Sequence, residues 1–583
     1  MKTVLAILAL VASLPSCAQT YRTWSDYGGS PDSAQYSALH QINLSNVSQL
    51  KVAWNYPIED ANHYPFSPIV VDGVMYVLAH NNSIVALDAA TGKQLWIWQH
   101  LPAPKVITNR GINYWESPDR SDRRLFFSAD HVLNAIDART GVPIPSFGNH
   151  GLVDLKVGLG RDPQSFKLVQ SLTPGRVFED LLILGSATNE GWGSAPGDIR
   201  AFDVRTGALR WSFHTIPHEG EFGYDTWPKD AWKSVGGANA WSEMTVDPKS
   251  GIVFIPTASP KYNFYGADRP GANLFGDCLL ALDARTGKRL WHFQMVHHDI
   301  WDYDDATAPK LLTVQHNGKP LDIVAQVSKQ GFIWVFRRDN GQPLWPIEER
   351  PVPKSEMPNE HAWPTQPFPV KPPPFARQTF TADDLSALIT DPAERARIKD
   401  QIQSARNEGL FTPPGLRDTV QMPGNNGGAN WGGAAVDPTN GTLYVVSKDL
   451  PCILKLTPAP KVGPDRYESG FGFMSTSAGV SPISLPWTSM TAYDLNTGTI
   501  KWQVPLGNAS RTRGGPVVTA GGLIFTGTSD KMIRALDEQT GKVLWEKPLD
   551  TPIGGIPAVY EVGGKEYIVL CSSGAYTALS LPD

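Results

Sequence analysis

One stretch near the middle of the chain combines the residue types that carry acid–base or metal chemistry. The segment His297-His-Asp-Ile-Trp-Asp-Tyr-Asp-Asp305 holds two adjacent histidines and four carboxylates within nine positions. The pattern does not alternate between apolar and polar residues, so it does not predict a strand. Clustered imidazole and carboxylate groups are typical of a loop that transfers protons or binds a cation. We therefore expect a functional loop at the rim of a rigid scaffold, with a solvated turn as the alternative.

The scaffold begins directly before this loop. Residues Leu279–Trp291 are typical of two short strands joined by the turn Asp283-Ala-Arg-Thr-Gly287, whose glycine can adopt a positive φ. The pattern Asp-x-x-Thr-Gly-x-x-x-Trp recurs along the chain in complete or looser form. Its seven copies lie at 84–96, 133–141, 199–211, 279–291, 333–345, 490–502 and 533–545. Strand pairs precede these copies, so the repeating unit is a small antiparallel sheet that cannot bury both faces alone.

Radial repetition of such sheets predicts an all-β, eight-bladed β-propeller. Seven blades follow from the seven copies. The C-terminal strands in Ile556–Leu570 need a partner, and Leu50–Tyr56 can close the eighth blade with them. We assign structural roles to three residues of each copy, since the aspartate caps the turn, the glycine forms it and the tryptophan docks between blades.

The regular spacing is interrupted once, from about 346 to 424. Its first part is rich in proline, as in the run from 364 to 374, and is typical of an extended rim loop. Helix starts are predicted at Thr381 and at Asp391, where Asp391 is the N-cap, Pro392 takes N1 and Glu394 takes N3. No repeat is lost around the interruption, so we interpret it as a partly helical insertion over one propeller face and not as a separate domain.

The composition agrees with a turn-rich β protein. Of 583 residues only 19% are charged, whereas glycine (53), proline (49) and tryptophan (19) are abundant. The net charge is −6 and the sequence has no basic run, which argues against nucleic acid as a partner.

The first residues predict export. The apolar run Val4–Leu14 follows Lys2 and is too short to span a bilayer, but it fits the core of a signal peptide. Leu14-Pro-Ser-Cys17 resembles a lipoprotein box, which would anchor the chain by a lipid on Cys17, and cleavage before Gln19 is the alternative. We expect a signal peptide at 1–18, a propeller at 19–583 and a periplasmic location.

The remaining cysteines are widely spaced. Cys278, Cys452 and Cys571 give no disulfide framework and allow at most one bridge. The sequence contains no Cys-x-x-Cys-His motif, so it predicts no covalently attached haem.

Several motifs beyond the repeat resemble one enzyme family. They are the His-His-Asp-x-Trp-Asp loop, Pro364-Thr-Gln-Pro-Phe368, Gly409-Leu-Phe-Thr-Pro-Pro414 and Asn430-Trp-Gly-Gly433. Over nearly the whole mature chain the sequence resembles the pyrroloquinoline quinone (PQQ)-dependent alcohol and glucose dehydrogenases, and is most similar to their glucose and quinate dehydrogenase branch. The resemblance implies an eight-bladed propeller that holds PQQ and Ca²⁺ on its axis and oxidises an alcohol, polyol or sugar.

The resemblance also implies catalytic and metal-binding residues. Asp299 matches the aspartate that accepts the substrate hydroxyl proton while hydride passes to the quinone C5, and that can also ligate the metal. Lys329 matches the basic residue that hydrogen-bonds the reactive quinone oxygens and stabilises the anion formed there. Glu190 matches a calcium ligand, since Ca²⁺ prefers hard oxygen donors.

A second set matches positions that hold the quinone. Arg110 corresponds to a clamp on a cofactor carboxylate, for which the guanidinium fork is suited. Trp241 corresponds to the indole that lies flat on the quinone rings. Thr173, Ser186 and Trp431 are further candidates for the polar rim of the cofactor site.

The sequence departs from the family pattern in two places. Many relatives carry a calcium-ligating asparagine where this chain has Thr257-Ala-Ser-Pro260, so one ligand is expected to be missing, replaced by water or contributed from elsewhere. The chain also lacks the adjacent cysteine pair of the methanol and ethanol enzymes, and Lys105-Val-Ile-Thr108 offers an apolar surface at that point.

Two other functions compete with a dehydrogenase. A non-catalytic propeller lipoprotein that serves as an assembly scaffold would share the repeat, but it has no reason to keep Asp299, Lys329, Arg110 and Trp241 together. A hydrolytic propeller enzyme would need a serine nucleophile motif, which is absent. A dehydrogenase would require an external electron acceptor, either a cytochrome c or a membrane quinone.

Overall fold

The computed structural model describes residues 21–60, 64–509 and 513–582. The predicted signal peptide and Cys17 lie outside the described residues. Eight antiparallel sheets follow one another along the chain, which confirms the predicted all-β, eight-bladed propeller. We number the blades 1 to 8 in the order given below.

The first four blades have four strands each. Blade 1 contains Ile69–Val71, Val74–Ala79, Ser83–Asp88 and Gln94–Trp98, and blade 2 contains Asn113–Glu116, Arg123–Ala129, Val132–Asp137 and Leu152–Asp154. Blade 3 contains Arg176–Phe178, Leu181–Leu184, Ile199–Asp203 and Leu209–Phe213, and blade 4 contains Thr245–Asp247, Ile252–Pro256, Cys278–Asp283 and Arg289–Gln294.

The other four blades vary in strand number. Blade 5 contains Lys310–His316, Lys319–Val327 and Ile333–Arg337, and blade 6 contains Ala434–Asp437, Thr442–Lys448, Thr488–Asp494 and Thr499–Pro505. Blade 7 contains Pro516–Thr519, Leu523–Gly527, Met532–Asp537 and Val543–Pro548, with Tyr36–Ser37 added in parallel. Blade 8 contains Ile553–Val562, Lys565–Ser572, Ala575–Ser580 and Lys51–Pro57, with Arg513–Gly514 added in parallel.

An N-terminal strand closes the ring, as the sequence predicted. Lys51–Pro57 pairs antiparallel with Ala575–Ser580, in a register that sets Trp54 opposite Ala578. Its direct partner is therefore the last strand of the chain and not the strands within Ile556–Leu570, which lie further along the same sheet. A strand from the N-terminal part of the chain and the C-terminal strands thus share one blade, which closes the ring.

The repeat tryptophans join neighbouring blades, as predicted. Trp211 of blade 3 lies against Gly287 of blade 4, where an added Cβ would come within 2.5 Å of the indole ring. Its Nε1 donates a hydrogen bond to the carbonyl oxygen of Ala284 at 3.1 Å. Trp291 packs in the same way on Gly341 of blade 5. The glycine thus serves both the turn and the contact between blades.

The first strands of most neighbouring blades contact one another, so they line the propeller axis. Residues 26–37 cross this inner ring. The carbonyl oxygen of Ser33 accepts a hydrogen bond from the buried Lys310 Nζ at 2.8 Å, and Gln35 Nε2 donates to the carbonyl oxygen of Pro516 at 2.7 Å. This N-terminal segment therefore ties blade 5 to blade 7.

The insertion between blades 5 and 6 contains a hairpin, a helix and short connecting elements. In chain order they are Ile347–Pro351, Thr365–Pro369, the 3₁₀-helix Ala382–Asp384, the α-helix Pro392–Ser404 and the strand Thr419–Gln421, which pairs with Cys452–Leu454. The α-helix starts as predicted, since the Asp391 carboxylate accepts a hydrogen bond from Ala393 N at 3.0 Å. The predicted start at Thr381 yields only the 3₁₀ turn, closed by reciprocal bonds with Asp384.

Small elements occupy the other loops. They are the 3₁₀-helices Val47–Gln49, Tyr224–Thr226 and Ala231–Lys233, the strand pair Val169–Gln170 with Ala187–Thr188, and the pair Thr457–Pro458 with Tyr467–Glu468. Cys278, Cys452 and Cys571 are buried free thiols. Among the described residues no helix is both long and apolar enough to cross a bilayer.

Candidate active site

The segment His297–Asp305, called the acidic loop below, lies between the last strand of blade 4 and the first strand of blade 5. Residues Asp299, Asp302, Asp304 and Asp305 are at most 4% exposed, so the loop is not the solvated turn that the sequence left open. Asp302 has a positive φ of 59°, which an L-residue seldom adopts without surrounding constraints. Buried carboxylates need partners or a cation, because water no longer solvates them.

Lys329 supplies one such partner. Its Nζ lies 2.8 Å from Asp304 Oδ2, 3.1 Å from Asp302 Oδ2 and 2.9 Å from the Asp302 carbonyl oxygen. Burial alone would lower the pKa of Lys329, but the Asp302 and Asp304 carboxylates raise it above its usual range. Burial raises the pKa of Asp302 well above normal, whereas Lys329 and Lys261 outweigh burial and hold the pKa of Asp304 below it.

Glu190 reaches the same cluster from the other side. Its Oε2 accepts hydrogen bonds from Lys261 Nζ at 2.5 Å and from Asn263 Nδ2 at 3.1 Å. Asn263 Nδ2 also donates to Asp302 Oδ1 at 2.8 Å, so one amide joins Glu190 to Asp302. Partial desolvation works against ionisation of Glu190, whose side chain stays largely exposed, but Lys261 outweighs it and lowers the pKa of the Glu190 carboxyl.

Asn263 and Asp304 are residues that the sequence reading did not assign. Asn263 lies four residues beyond Ser259, outside the segment in which an amide was expected, and its Oδ1 is buried without a hydrogen-bond partner. The available signal was an asparagine in the loop that follows the second strand of blade 4, Ile252–Pro256, but its spacing from that strand differs from the family pattern.

Asp299 occupies a different position from Asp302. Its Oδ1 accepts a hydrogen bond from Trp301 N at 2.8 Å, and its Oδ2 accepts from Tyr303 N at 2.9 Å and from Ser259 Oγ. These bonds partly offset the effect of burial, which raises the pKa of Asp299. Both carboxylate oxygens therefore stabilise the loop conformation, and the structure does not bring Asp299 into hydrogen-bond contact with Lys329 or Glu190.

The predicted quinone-binding residues lie beside the cluster. Arg110 Nη1 donates to Thr173 Oγ1 at 3.0 Å and to the Trp241 carbonyl oxygen at 3.0 Å. The guanidinium carbon lies 3.7 Å from the ring centroid of Trp431 and 4.8 Å from that of Trp241. Trp241 Nε1 donates to Asp304 Oδ2 at 3.0 Å, which connects this aromatic and basic group to the carboxylates.

Several buried polar atoms around this group have no hydrogen-bond partner in the protein. They are Asn109 Oδ1, Gln170 Oε1, Ser186 Oγ, Thr188 Oγ1 and Asn239 Oδ1. Strand pairing places Gln170 beside Ala187, and Asn239 Nδ2 donates to the Ser186 carbonyl oxygen at 2.7 Å, so these atoms border one region. Buried polar groups are rarely left unpaired, so the set fits a bound polar ligand.

The insertion holds the acidic loop in place. Gln366 Oε1 accepts a hydrogen bond from His297 N at 2.8 Å, and Gln366 Nε2 donates to the His297 carbonyl oxygen at 2.7 Å. Trp301 Nε1 donates to the Thr412 carbonyl oxygen at 2.9 Å. Two of the sequence motifs quoted above, at 364–368 and 409–414, therefore act as supports of the loop.

The histidines of the loop also have supporting contacts. His298 is fully buried, with Nε2 2.8 Å from Glu360 Oε1 and Nδ1 2.9 Å from the Gly271 carbonyl oxygen. His297 Nε2 lies 3.1 Å from Glu349 Oε1. These contacts give both histidines a role in packing the loop.

One other cluster of potential ligands lies elsewhere in the described part of the chain, at His214, His218 and Glu221. The two imidazole rings are parallel to within 10°, with centroids 3.8 Å apart. An imidazole binds a metal in the plane of its ring, so a single ion cannot lie in both ring planes in this arrangement. The oxygen-rich cluster around Lys329 is therefore the better candidate for a cation.

Comparison with known proteins defines the class. Residues 24–568 match the PQQ family described as glucose/ethanol/alcohol dehydrogenase, beta-propeller domain. The chain belongs to this family of PQQ-dependent dehydrogenase β-propellers and is an oxidoreductase. The non-catalytic scaffold considered from sequence is accordingly set aside.

Relatives share nearly the whole chain. The quinate/shikimate dehydrogenase (quinone) of Acinetobacter baylyi is 30% identical, over 95% of this chain and 77% of that protein. The glycerol dehydrogenase large subunit of Gluconobacter oxydans is 29% identical, over 94% and 83% of the two chains. The fold is similar to that of the quinohemoprotein alcohol dehydrogenase from Comamonas testosteroni, with a TM-score of 0.73 at 24% identity, over 97% of this chain and 81% of that one.

Proposed function

We propose that this dehydrogenase oxidises the CH–OH group of an alcohol, polyol or sugar. The relatives that cover most of the chain are named for quinate or shikimate, glycerol and glucose, all of which carry several hydroxyl groups. The observation that carries the proposal is the position of Lys329 between Asp302 and Asp304, next to Trp241 and Arg110. A base, a fixed positive charge and an aromatic surface then lie together, as oxidation of an alcohol requires.

Asp302 is the better candidate for the general base than Asp299, the residue that the resemblance indicated. The oxygens of Asp299 are engaged by two main-chain N–H groups and by Ser259. Asp302 instead contacts Lys329, which also contacts Asp304. It also accepts a hydrogen bond from Asn263, which donates to Glu190 as well. Its raised pKa favours accepting a proton, and the nearby Lys329 favours the ionised form that must be present first.

The donor set fits a hard cation, for which Ca²⁺ is our proposal. Glu190, Asp302 and Asp304 offer carboxylate oxygens, and the unpaired Oδ1 of Asn263 offers an amide oxygen. Turning the Asn263 amide would exchange Oδ1 for Nδ2, which now lies between Glu190 and Asp302. Asn263 would then supply the amide ligand that the Thr257–Pro260 segment lacks.

The residues around Trp241 fit PQQ, a planar anion. Trp241 and Trp431 offer aromatic faces, Arg110 offers a guanidinium group for a carboxylate, and Thr173 and Ser186 offer hydroxyl groups. When bound, the quinone supplies the two-electron acceptor for hydride, and the cation increases its electrophilicity. In the protein, Asp302 takes the hydroxyl proton and Lys329 stabilises the negative charge that develops beside it.

The reaction leaves a carbonyl product and two electrons that must reach another molecule. A cytochrome c or a membrane quinone is our proposed acceptor, consistent with the quinone-linked name of one relative. The N-terminal pattern supports a periplasmic location, with or without a lipid on Cys17. Palmitate labelling of the wild type and of Cys17→Ala would distinguish a protein anchored by a lipid on Cys17 from one cleaved before Gln19.

Reconstitution tests the function. We expect PQQ titrated into cofactor-free protein with excess Ca²⁺ to quench tryptophan emission and to produce dye-linked oxidation of glycerol, glucose, quinate or a simple alcohol. Arg110→Ala should weaken PQQ binding at least about tenfold, since it removes a charge-assisted contact. Arg205→Ala is the matched control, because that guanidinium lies over the distant Trp115 ring at 4.7 Å. Absence of both quenching and turnover would refute the proposal.

A further inference from the structure

Lys261 places a second positive charge in the carboxylate cluster. Its Nζ lies 2.5 Å from Glu190 Oε2, and its side chain is only 5% exposed. The Glu190 side chain is 61% exposed, so the lysine is the buried member of the pair. A lysine ammonium is seldom buried unless its charge is compensated.

The fold provides a fitted position for this lysine. Lys261 N donates a hydrogen bond to the Gly236 carbonyl oxygen at 3.0 Å. Its side-chain stem packs on Gly237, where an added Cβ would come within 2.7 Å of Lys261 Cγ. Main-chain bonding and stem packing thus fix the direction in which the ammonium points.

The charges of the cluster are then largely balanced within the protein. When all three are ionised, the carboxylates of Glu190, Asp302 and Asp304 carry three negative charges, and the ammonium groups of Lys261 and Lys329 carry two positive ones. Lys329 contacts Asp302 and Asp304, whereas Lys261 contacts Glu190. These five groups therefore carry a net charge of about −1, instead of −2 without Lys261.

We propose that Lys261 is an internal counter-ion of the cation site, which an entering metal ion must separate from Glu190. This inference rests on the proposed function, since it assumes that Glu190, Asp302 and Asp304 hold a cation. Two consequences follow from Coulomb's law. Lys261 lowers the affinity for any metal ion, and it lowers the affinity for a trivalent ion more than for a divalent one.

The alternative is that Lys261 is a positioning residue, or strut, which only orients the Glu190 carboxylate toward the cation. The two roles predict opposite effects of removing the charge. Loss of a counter-ion tightens cation binding, whereas loss of a strut weakens it because Glu190 is no longer held in place.

Calorimetric titration of Ca²⁺ and Tb³⁺ into quinone-free protein distinguishes them. We expect Lys261→Met to bind Ca²⁺ at least about tenfold more tightly than the wild type does. The affinity for Tb³⁺ should increase by a larger factor than the affinity for Ca²⁺. Lys261→Arg keeps the charge and should remain near the wild type. Lys233→Met is the matched control, because Lys233 pairs with Asp230 at 3.0 Å on the exposed surface.

Each outcome is decisive. Equal or weaker binding of both ions by a folded Lys261→Met, while the wild type binds them, would overturn the counter-ion and leave the proposed enzyme intact. If Lys261→Met bound these ions and the wild type did not, the result would support the counter-ion role. If neither protein bound either ion, the cation site and the counter-ion would both be wrong. Lys261→Gln serves in place of the methionine variant if that variant does not fold, as judged by circular dichroism.

Discussion

Lys329 contacts Asp302 through two different oxygens, Oδ2 of the side chain at 3.1 Å and the main-chain carbonyl oxygen at 2.9 Å. Asp302 has a φ of 59°, and in this conformation both oxygens face the same ammonium group. Lys329 therefore sets the orientation of Asp302 as well as its charge state. Changes at either residue should affect proton transfer and loop geometry together.

The first prediction separates the two aspartates. Asp302→Asn should lower turnover about 10²–10⁴-fold while PQQ still binds, because the amide keeps the shape but cannot accept the proton. Asp299→Asn should mainly destabilise the loop, since an amide cannot accept all three hydrogen bonds of the Asp299 carboxylate. The measurements are dye-linked turnover and the thermal unfolding midpoint.

The reverse result would restore the assignment made from sequence. If Asp299→Asn lost turnover with an unchanged unfolding midpoint while Asp302→Asn remained active, Asp299 would be the base. Quenching of tryptophan emission by PQQ in each variant controls for loss of the cofactor.

The second prediction concerns the pH dependence of turnover. The charge of Lys329 lowers the pKa of Asp302, opposing burial and Asp304. Lys329→Met should therefore raise that pKa further and move the acidic limb of kcat/KM to higher pH, besides lowering the rate about 10²–10³-fold. Lys329→Arg retains the charge and should keep the limb near its wild-type position. If the acidic limb of kcat/KM did not shift in Lys329→Met, ionisation of Asp302 would not be what controls that limb.

The third prediction tests the contact between blades. Gly287 has a φ of 70°, and an added Cβ would come within 2.5 Å of the Trp211 ring. Gly318 has a φ of 75° with no heavy atom within 4 Å of such a Cβ, so it carries the same backbone strain without the contact. Gly287→Ala should cost about 1–3 kcal/mol more than Gly318→Ala. Equal unfolding midpoints for the two variants would contradict the docking role.

The fourth prediction concerns stability and pH away from the active site. Asp198 is 2% exposed, and burial raises its pKa from 3.8 to about 6. A raised folded-state pKa means that its stabilising contribution is present below about pH 4 and is lost as the pH rises through about 6. Asp198→Asn cannot ionise, so at pH 7 it should exceed the wild type in free energy of unfolding by up to about 3 kcal/mol.

At pH 4 the same variant should differ little from the wild type, because Asp198 is then largely protonated in the folded protein. Urea unfolding of both proteins at pH 4 and pH 7 measures the difference. A variant that lost equal stability at both values would show that the carboxylate contributes through its shape and not through its charge.

The sequence by itself determined the propeller. A repeat that carries its own turn residues and docking tryptophan specifies each blade locally. The strand that begins near residue 51 was recognisable as the missing strand of the last blade. The start of the helix at Asp391 was predictable for the same reason, because capping depends on neighbours within four residues. The sequence also indicated Arg110, Thr173, Trp241 and Glu190, which the structure places around one region.

Only the tertiary structure decided which carboxylates of the acidic loop face Lys329, namely those of Asp302 and Asp304 and not that of Asp299. Asp299 and Asp302 lie three positions apart in a loop without regular periodicity, so their spacing does not fix the directions of their side chains. Those directions depend on Ser259 and on supports from the distant insertion, such as Gln366. Asn263 and Lys261 join the cluster for the same reason, because contacts between segments far apart in sequence, and not local pattern, bring their polar atoms to Glu190.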